Sequence, residues 1–160
     1  MKKKIFILLI LFWVIPSGFA QLRVYSFEEV AQLSKVKPKP IVVFIHTSWC
    51  KYCKMMENST FKNEETISEL NNNFYFISFD AETKNDIVYN NHRFKFVPTG
   101  KNTGIHELAT ALATINGQVA YPTLTILKAS DTIFFQKHSF MGSKMMLSIL
   151  NSCQKETPIH

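Results

Sequence analysis

Two cysteines separated by two residues, Cys50 and Cys53, are the residues of this chain best suited to chemistry. They follow five consecutive apolar, mostly β-branched residues at positions 41–45 and precede a stretch with helical spacing. A short apolar run of this kind is typical of a strand that is buried on both faces of a sheet. We therefore expect a helix to begin at Cys50, directly after a buried strand.

A helix that begins at Cys50 places its sulfur beside unpaired backbone N–H groups and the positive end of the helix dipole. Lys51 and Lys54 add positive charge nearby. These effects stabilise a thiolate, so we expect the pKa of Cys50 to lie below the free-thiol value of about 8.5. Cys53 is one turn further along the same side of the helix, within reach of a mixed disulfide on Cys50. The spacing predicts Cys50 as the nucleophile and Cys53 as the resolving thiol.

A metal site and a purely structural disulfide are the other interpretations of the pair. Structural zinc usually takes four ligands, but the chain has no second C-x-x-C, and only His46 of its five histidines is close in sequence. A structural disulfide framework usually has an even number of cysteines at longer spacings. The third cysteine, Cys153, falls on the apolar face of the last expected helix, where a buried structural role is predicted.

The rest of the chain predicts an α/β fold, with a central mixed sheet flanked by helices. Ser26 and Glu29 form a capping-box pattern before the first helix. From there the order is helix, strand, helix, strand, helix, strand, strand, helix, which indicates parallel β-α-β connections followed by an antiparallel hairpin. Segment 86–104 is extra: its two short runs around an Asn-Asn pair predict a β-hairpin, followed by a loop over 98–104. A helix from Ile105 to about Ile115 should come next.

The first 20 residues have the pattern of a signal peptide. Three lysines at 2–4 precede an apolar run of 11 residues at 5–15, and Gly18 and Ala20 fit a cleavage site before Gln21. The run is too short to cross about 30 Å of hydrocarbon as a helix. We expect residues 1–20 to be removed on export and residues 21–160 to form one domain.

Export changes the expected charge and redox state of the protein. Removing the three lysines leaves 15 basic and 12 acidic residues, so the net charge falls from +6 to +3. Such a modest charge gives no indication of a nucleic acid or an anionic membrane as partner. A secreted or periplasmic protein can keep a disulfide.

Several motifs resemble those of thioredoxin-fold proteins. W-C-K-Y-C-K at positions 49–54 is similar to that family's W-C-x-x-C-K, and Tyr121-Pro122-Thr123 is similar to its cis-proline landmark before a strand. The pattern C-x-x-C-K-x-x-E-x-x-T-F further resembles the C-terminal thioredoxin-like domain of the bacterial transmembrane thiol:disulfide interchange protein. In this chain the pattern is formed by Cys50, Cys53, Lys54, Glu57, Thr60 and Phe61. The resemblance covers most of residues 26–153, interrupted by segment 86–104.

The resemblance implies a substrate groove beside the two cysteines. Pro122 would be cis and packed against them, and the backbone of Tyr121 would pair with an extended substrate segment. The alternative is a trans proline that opens a strand. Trp49 either shields the cysteines and lines this groove or covers the core.

One position departs from the family pattern. Many relatives carry a buried acid six residues before the first cysteine, which helps to move the proton of the resolving cysteine. Here that residue is Phe44, which puts this proton transfer in doubt. Glu57 is a candidate substitute, although a lone helical glutamate is more often solvated. His46 either affects the stability of the thiolate or is a bystander.

Together these features predict an exported thiol–disulfide oxidoreductase of the protein-disulfide reductase type, acting in cell redox homeostasis. Its only cofactor would be its own Cys50–Cys53 dithiol, with no metal. We expect a monomer in the periplasm or outside the cell. Its partners would be exported proteins with disulfides or thiols and a membrane or periplasmic electron donor.

The expected direction of electron transfer comes from the resemblance. Lys51 and Tyr52, between the cysteines, match neither the Gly-Pro of reducing thioredoxins nor the Pro-His of strongly oxidising relatives. The resemblance favours a donor of electrons. Two alternatives remain, namely a client-binding module without turnover and a metal-handling protein that uses Cys50, Cys53 and His46. We expect segment 86–104, which is rich in aromatic and basic residues, to shape client selection.

Overall fold

A computed structural model describes residues 21–156; the expected signal peptide lies outside them. Between residues 21 and 156, none of the helices has the length and apolar character that a transmembrane span requires. The helices are α1 (Phe27–Val36), α2 (Lys51–Asn58), α3 (Glu64–Asn73), α4 (Glu107–Ala113) and α5 (Ser143–Glu156), with a 3₁₀ turn at Thr60–Lys62. The strands are β1 (Ile41–His46), β2 (Tyr75–Asp80), β3 (Ile87–Tyr89), β4 (His92–Phe94), β5 (Phe96–Pro98), β6 (Gly104–His106), β7 (Thr114–Ile115), β8 (Gln118–Val119), β9 (Thr123–Leu127) and β10 (Ile133–His138).

The centre of the fold is a four-stranded mixed sheet in the order β10-β9-β1-β2. β1 runs parallel to β2 and pairs Val43 with Ile77. On its other side β1 runs antiparallel to β9, where Val43 faces Thr125, and β9 continues into the antiparallel β10. This arrangement confirms the predicted α/β class with a central mixed sheet flanked by helices.

Two hydrophobic clusters cover the two faces of the sheet. The cluster on one face joins Val43 and Ile45 to α1 and α4. The other joins Val42 and Phe44 to α2, α3 and α5, and it contains both cysteines of the C-x-x-C pair. Because alternate residues of a strand point to opposite faces, β1 needs apolar residues at consecutive positions. Residues 41–45 are accordingly all buried, as their apolar run predicted.

The first helix begins where the capping box predicted. The Ser26 hydroxyl accepts a hydrogen bond from the backbone N–H of Glu29, and the Glu29 carboxylate accepts one from the backbone N–H of Ser26. Two backbone donors at the helix start are thereby satisfied. The helix ends at Val36, ahead of the prolines that begin at Pro38.

Segment 86–104 contains the predicted hairpin but not the predicted loop. β3 and β4 pair around Asn90 and Asn91, both of which have positive φ. The stretch expected to be a loop instead joins a second hairpin, in which β5 pairs with β6. Gly104 permits this pairing, since a Cβ there would lie 2.3 Å from the Phe96 ring. The following helix accordingly begins at Glu107 rather than at Ile105.

The first of these hairpins packs firmly onto the domain. Tyr89 is only 8% exposed, and its ring lies edge-on to Phe27 of α1 at 5.4 Å. Its hydroxyl donates a hydrogen bond to Asp131, in the turn between β9 and β10. The backbone N–H of Val88 donates to the Glu28 carboxylate at 3.0 Å. These contacts make the hairpin part of the core beside α1 rather than a separate appendage.

Candidate active site

Cys50 and Cys53 lie at the junction of β1 and α2, as their spacing predicted. The two sulfurs form a disulfide with an S–S distance of 2.04 Å and a Cα–Cα distance of 5.2 Å. Cys50 is the N-cap of α2, and its sulfur accepts a hydrogen bond from the backbone N–H of Cys53 at 3.1 Å. A negative charge on Cys50 would therefore be stabilised by a helix N–H group and by the helix dipole.

The two cysteines differ in accessibility. Cys50 keeps 5% of its surface exposed, whereas Cys53 is completely buried. An incoming disulfide can approach Cys50 first, while Cys53 can reach only a bond already formed on its neighbour. The exposed fraction of Cys50 is what a nucleophile requires, and the assignment of nucleophile and resolving thiol stays a prediction. Lys51 and Lys54 are both exposed on the same helix. Cys153, on α5, is 2% exposed and belongs to the same hydrophobic cluster, which agrees with its predicted burial.

A groove beside the cysteines contains the proline landmark. The Tyr121–Pro122 peptide bond is cis, the isomer that the resemblance implied. Both residues line a cavity of about 330 Å³ together with Tyr52 of α2 and Phe140. We call this cavity the proline groove. Because Tyr52 is 60% exposed, it forms an outer wall that an approaching polypeptide would meet.

Trp49 is exposed and does not cover the core. Its side chain is 65% exposed, and its ring lies edge-on to Tyr121 at 6.1 Å. The indole Nε1 donates to the two carboxylate oxygens of Glu82, at 3.1 and 3.2 Å. The exposure of Trp49 contradicts the interpretation that it covers the core, and its role at the groove stays a prediction. No sequence motif predicted Glu82 as the partner of Trp49, because the two residues are 33 positions apart in the sequence.

Phe44 occupies the position at which many thioredoxin-fold relatives carry a buried acid. It is completely buried, and its ring stacks on His46 at 5.2 Å and meets Phe61 edge-on at 4.8 Å. At this position of β1 the sheet therefore has an aromatic ring in place of a carboxylate. The nearest polar side chain along β1 is His46, two residues further on the same face.

His46 has polar neighbours on two other elements. Its Nε2 lies 3.1 Å from the Ser78 hydroxyl on β2, and its Nδ1 lies 4.0 Å from a carboxylate oxygen of Glu57 on α2. Burial lowers the pKa of His46, against the opposing effect of the Glu57 and Asp80 carboxylates. The imidazole is therefore mainly neutral at pH 7.

Glu57 is partly exposed and has a charged neighbour. Its side chain is 29% exposed and forms an ion pair with Lys54 at 2.7 Å. Glu57 also lines a cavity of about 470 Å³ with Phe44, Phe61 and Ser78. We call this cavity the rear groove. Ser78 was not predicted as a site residue, and a strand serine without a motif offers no signal of its position.

The alternative of a metal site needs at least one further ligand near the cysteines. Among residues 21–156, no group of three or more His, Cys, Asp or Glu side chains is arranged to hold a metal ion. Within the described residues, His46 has its polar contacts with Ser78 and Glu57.

Comparison with known proteins decides the family. The family model Thioredox_DsbH, described as "Protein of unknown function, DUF255", matches residues 23–155. The chain belongs to this family. The match spans both cysteines, the proline groove and segment 86–104.

Solved structures show the same fold. A protein titled "DsbH Oxidoreductase" superposes with a TM-score of 0.62 at 22% identity, covering 89% of this chain and 90% of that one. The C-terminal domain of DsbD from Neisseria meningitidis, in its reduced form, gives a TM-score of 0.50 at 16% identity, over 78% and 90% of the two chains. These likenesses confirm the thioredoxin fold and the predicted resemblance to the interchange protein.

Curated relatives are similar over a shorter stretch. Spermatogenesis-associated protein 20 of Rattus norvegicus is 37% identical over 60 residues, which is 38% of this chain and 8% of that protein. The thiol:disulfide interchange protein DsbD of Campylobacter jejuni is 31% identical over 61 residues, which is 38% of this chain and 11% of that protein. The matches thus span only about a tenth of these relatives, and the activities of the whole proteins do not transfer with them.

Proposed function

We propose that this protein is an exported thiol–disulfide oxidoreductase that reduces or reshuffles disulfides of exported proteins. Cys50 attacks the client disulfide, and Cys53 then resolves the mixed disulfide. The cofactor is the Cys50–Cys53 dithiol itself. We propose cleavage of the leader near Ala20, a monomeric protein in the periplasm or outside the cell, and reduction by a membrane or periplasmic electron donor.

The observation that carries this proposal is the environment of the cysteine pair. A slightly exposed Cys50 caps the N-terminus of α2 and is disulfide-bonded to a buried Cys53. Stabilisation of the thiolate at a helix start favours attack on a disulfide, and a second thiol in the same helix can resolve the mixed disulfide that results. The thioredoxin fold and the oxidoreductase title of a structural neighbour support the same chemistry.

The proline groove provides a place for the client. Its walls include Tyr52, Pro122 and Phe140. Aromatic walls suit an unfolded or extended client segment, because they contact many different side chains without requiring a particular one. The exposed indole of Trp49 extends this surface around the cysteines.

Reduction of insulin by the purified mature chain, with dithiothreitol as electron source, tests the proposal. We expect turnover with the wild-type protein and none with Cys50→Ser. In a separate reaction without dithiothreitol, the reduced Cys53→Ser variant should accumulate mixed disulfides with insulin, which are seen as adducts on non-reducing gels. Cys153→Ala is the matched control, because it removes a buried cysteine outside the pair and should keep turnover.

Each alternative function gives a different result in this assay. A binding module would capture reduced client without turnover. A metal-handling protein would lose activity or fold on treatment with a chelator. Insulin reduction that is unaffected by Cys50→Ser would refute the proposal.

A further inference from the structure

The proposed function leaves one proton without an acceptor. Cys53 can attack a mixed disulfide only as a thiolate, so its thiol must first lose a proton. Cys53 is completely buried, and bulk water does not reach it directly. Phe44, which belongs to the same hydrophobic cluster as Cys53, has no group that accepts a proton. Another neighbouring side chain is therefore the candidate acceptor.

His46 and Glu57, on the strand and the helix that meet at the cysteine pair, are side chains that can accept a proton near neutral pH. His46 follows Phe44 on the same face of β1 and stacks against its ring at 5.2 Å. Glu57 is four residues after Cys53 in α2, which places the two on the same side of the helix. The Glu57 carboxylate and the His46 Nδ1 are 4.0 Å apart, so the strand and the helix bring both groups to one place.

We propose that His46 accepts the proton of Cys53 during resolution of the mixed disulfide, and that Glu57 and Ser78 position its ring. This inference rests on the proposed function, because it concerns the second half of the same reaction. His46 is the acceptor, and Glu57 and Ser78 act through it.

The hydrogen bonds of the ring indicate which nitrogen accepts. Nε2 is paired with the Ser78 hydroxyl at 3.1 Å, whereas Nδ1 is buried and has no hydrogen-bond partner in the described part of the chain. A neutral ring that donates from Nε2 to Ser78 leaves a lone pair on Nδ1. When Nδ1 takes up the proton, it faces the Glu57 carboxylate, which stabilises the new positive charge.

The charges around His46 suit an acceptor that works near neutral pH. Burial lowers the pKa of His46 and keeps the resting ring neutral. The Glu57 and Asp80 carboxylates act in the opposite direction, while the ammonium of Lys54 adds to the lowering. A base that is neutral at rest but stabilised once protonated is suited to transient proton uptake.

The step balances in atoms and electrons. The Cys53 S–H bond breaks and its proton moves to His46 Nδ1. The Cys53 thiolate then attacks the Cys50 sulfur, which forms the Cys50–Cys53 bond and breaks the bond from Cys50 to the client. The client sulfur leaves with the electron pair as a thiolate. In this step the Cys53 sulfur is oxidised and the client sulfur is reduced, while Cys50 exchanges one disulfide bond for another.

The rear groove gives the proton a route to solvent. Glu57 and Ser78, the two polar neighbours of His46, both line this cavity of about 470 Å³. The His46 side chain is itself 16% exposed. Water in the groove can therefore take the proton from His46 after the client has left, which returns the ring to its neutral form.

Stopped-flow reaction of the reduced protein with 5,5′-dithiobis(2-nitrobenzoic acid) separates the two halves of the reaction. The first thionitrobenzoate released reports attack by Cys50, and the second reports attack by Cys53 on the resulting mixed disulfide. Cys53→Ser identifies the first release. The test variants are His46→Gln, His46→Ala and Glu57→Gln. The matched controls are His92→Gln and Glu65→Gln, which change exposed residues on β4 and α3.

In His46→Gln we expect the first release to be unchanged and the second to slow by about a hundredfold or more at pH 7, the low end of the usual contribution of a general base. Raising the pH should restore the second release, because hydroxide then takes the proton. Added imidazole should restore it in His46→Ala, a response that a merely structural role would not give. Glu57→Gln should slow the second release less than His46→Gln does.

Other outcomes overturn the inference in distinguishable ways. An unchanged second release in His46→Gln, or no rescue of His46→Ala by imidazole, removes His46 as the acceptor. A larger loss in Glu57→Gln than in His46→Gln transfers the role to the carboxylate. Absence of the first release from wild-type protein would instead refute the proposed function itself.

Discussion

Replacing Phe44 by aspartate would restore the acid that many thioredoxin-fold relatives have, and we expect it to damage this protein. The Phe44 ring is completely buried and packs against His46 and Phe61. The position therefore accommodates an aromatic ring, which also forms part of the wall of the rear groove.

Two effects determine the size of the loss. Removing a buried phenylalanine ring costs about 3–5 kcal/mol of unfolding free energy. A buried carboxyl group without a hydrogen-bond partner costs roughly a further 1–3 kcal/mol. Since domains of this size are stable by only about 5–15 kcal/mol, Phe44→Asp should be close to unfolding at room temperature.

Urea unfolding of the oxidised proteins, followed by far-UV circular dichroism, measures the loss. Phe44→Leu is the matched control, because it keeps an apolar side chain and should lose about 1.5 kcal/mol or less if the site repacks. A loss below about 2 kcal/mol for Phe44→Asp would fall short of the usual cost of a buried large-to-small change. Such a result would refute the conclusion that this position is committed to aromatic packing.

Three further predictions follow from the site and its surroundings. Iodoacetamide should label Cys50 before Cys53 in the reduced protein, because Cys50 is the one cysteine of the pair with exposed surface. Mass spectrometry of peptides measures the order of labelling, and labelling of Cys53 first would contradict the assignment. Equilibration with glutathione buffers should give a reduction potential nearer about −270 mV than the roughly −120 mV of strong oxidants. A value at the oxidising end would contradict the proposed donor role but not the assignment of the fold. Burial lowers the pKa of both His46 and His106 in the folded protein, so the unfolded chain binds protons more readily below about pH 6.5. The free energy of unfolding from urea titrations should therefore decrease as the pH falls from 7 through this range, and His106→Asn should weaken that dependence if the fold is retained.

The order of the strands and helices around the cysteines was predictable because its signals are local. The consecutive apolar residues of β1 indicated burial on both faces, and the capping box at Ser26 marked the start of α1. The Asn90-Asn91 pair indicated a hairpin because asparagine tolerates positive φ better than most residues. In each case neighbouring residues in sequence determine the backbone conformation.

The pairing of β5 with β6 was not predictable in the same way. Pro98 and Gly104 are typical of a loop when each is taken alone. In the folded chain, Gly104 lets its strand approach Phe96 closely, and His106 caps the helix that follows. The pairing joins residues up to ten positions apart, from Phe96 to His106, and the backbone N–H of His106 also donates to the carbonyl of Ala81 at 2.8 Å. Contacts of this kind leave no periodic pattern in the segment.

The sequence by itself determined the reactive pair. Cys50 and Cys53 are three positions apart, after a buried strand and at a helix start, and that spacing alone brings the sulfurs together because helix geometry is local. Only the tertiary structure decided what surrounds them. Ser78 reaches His46 from the neighbouring strand, and Glu82 holds the Trp49 indole from 33 residues away. These partners depend on strand order and on the packing of helices against the sheet, which many different sequences can satisfy and no short motif records.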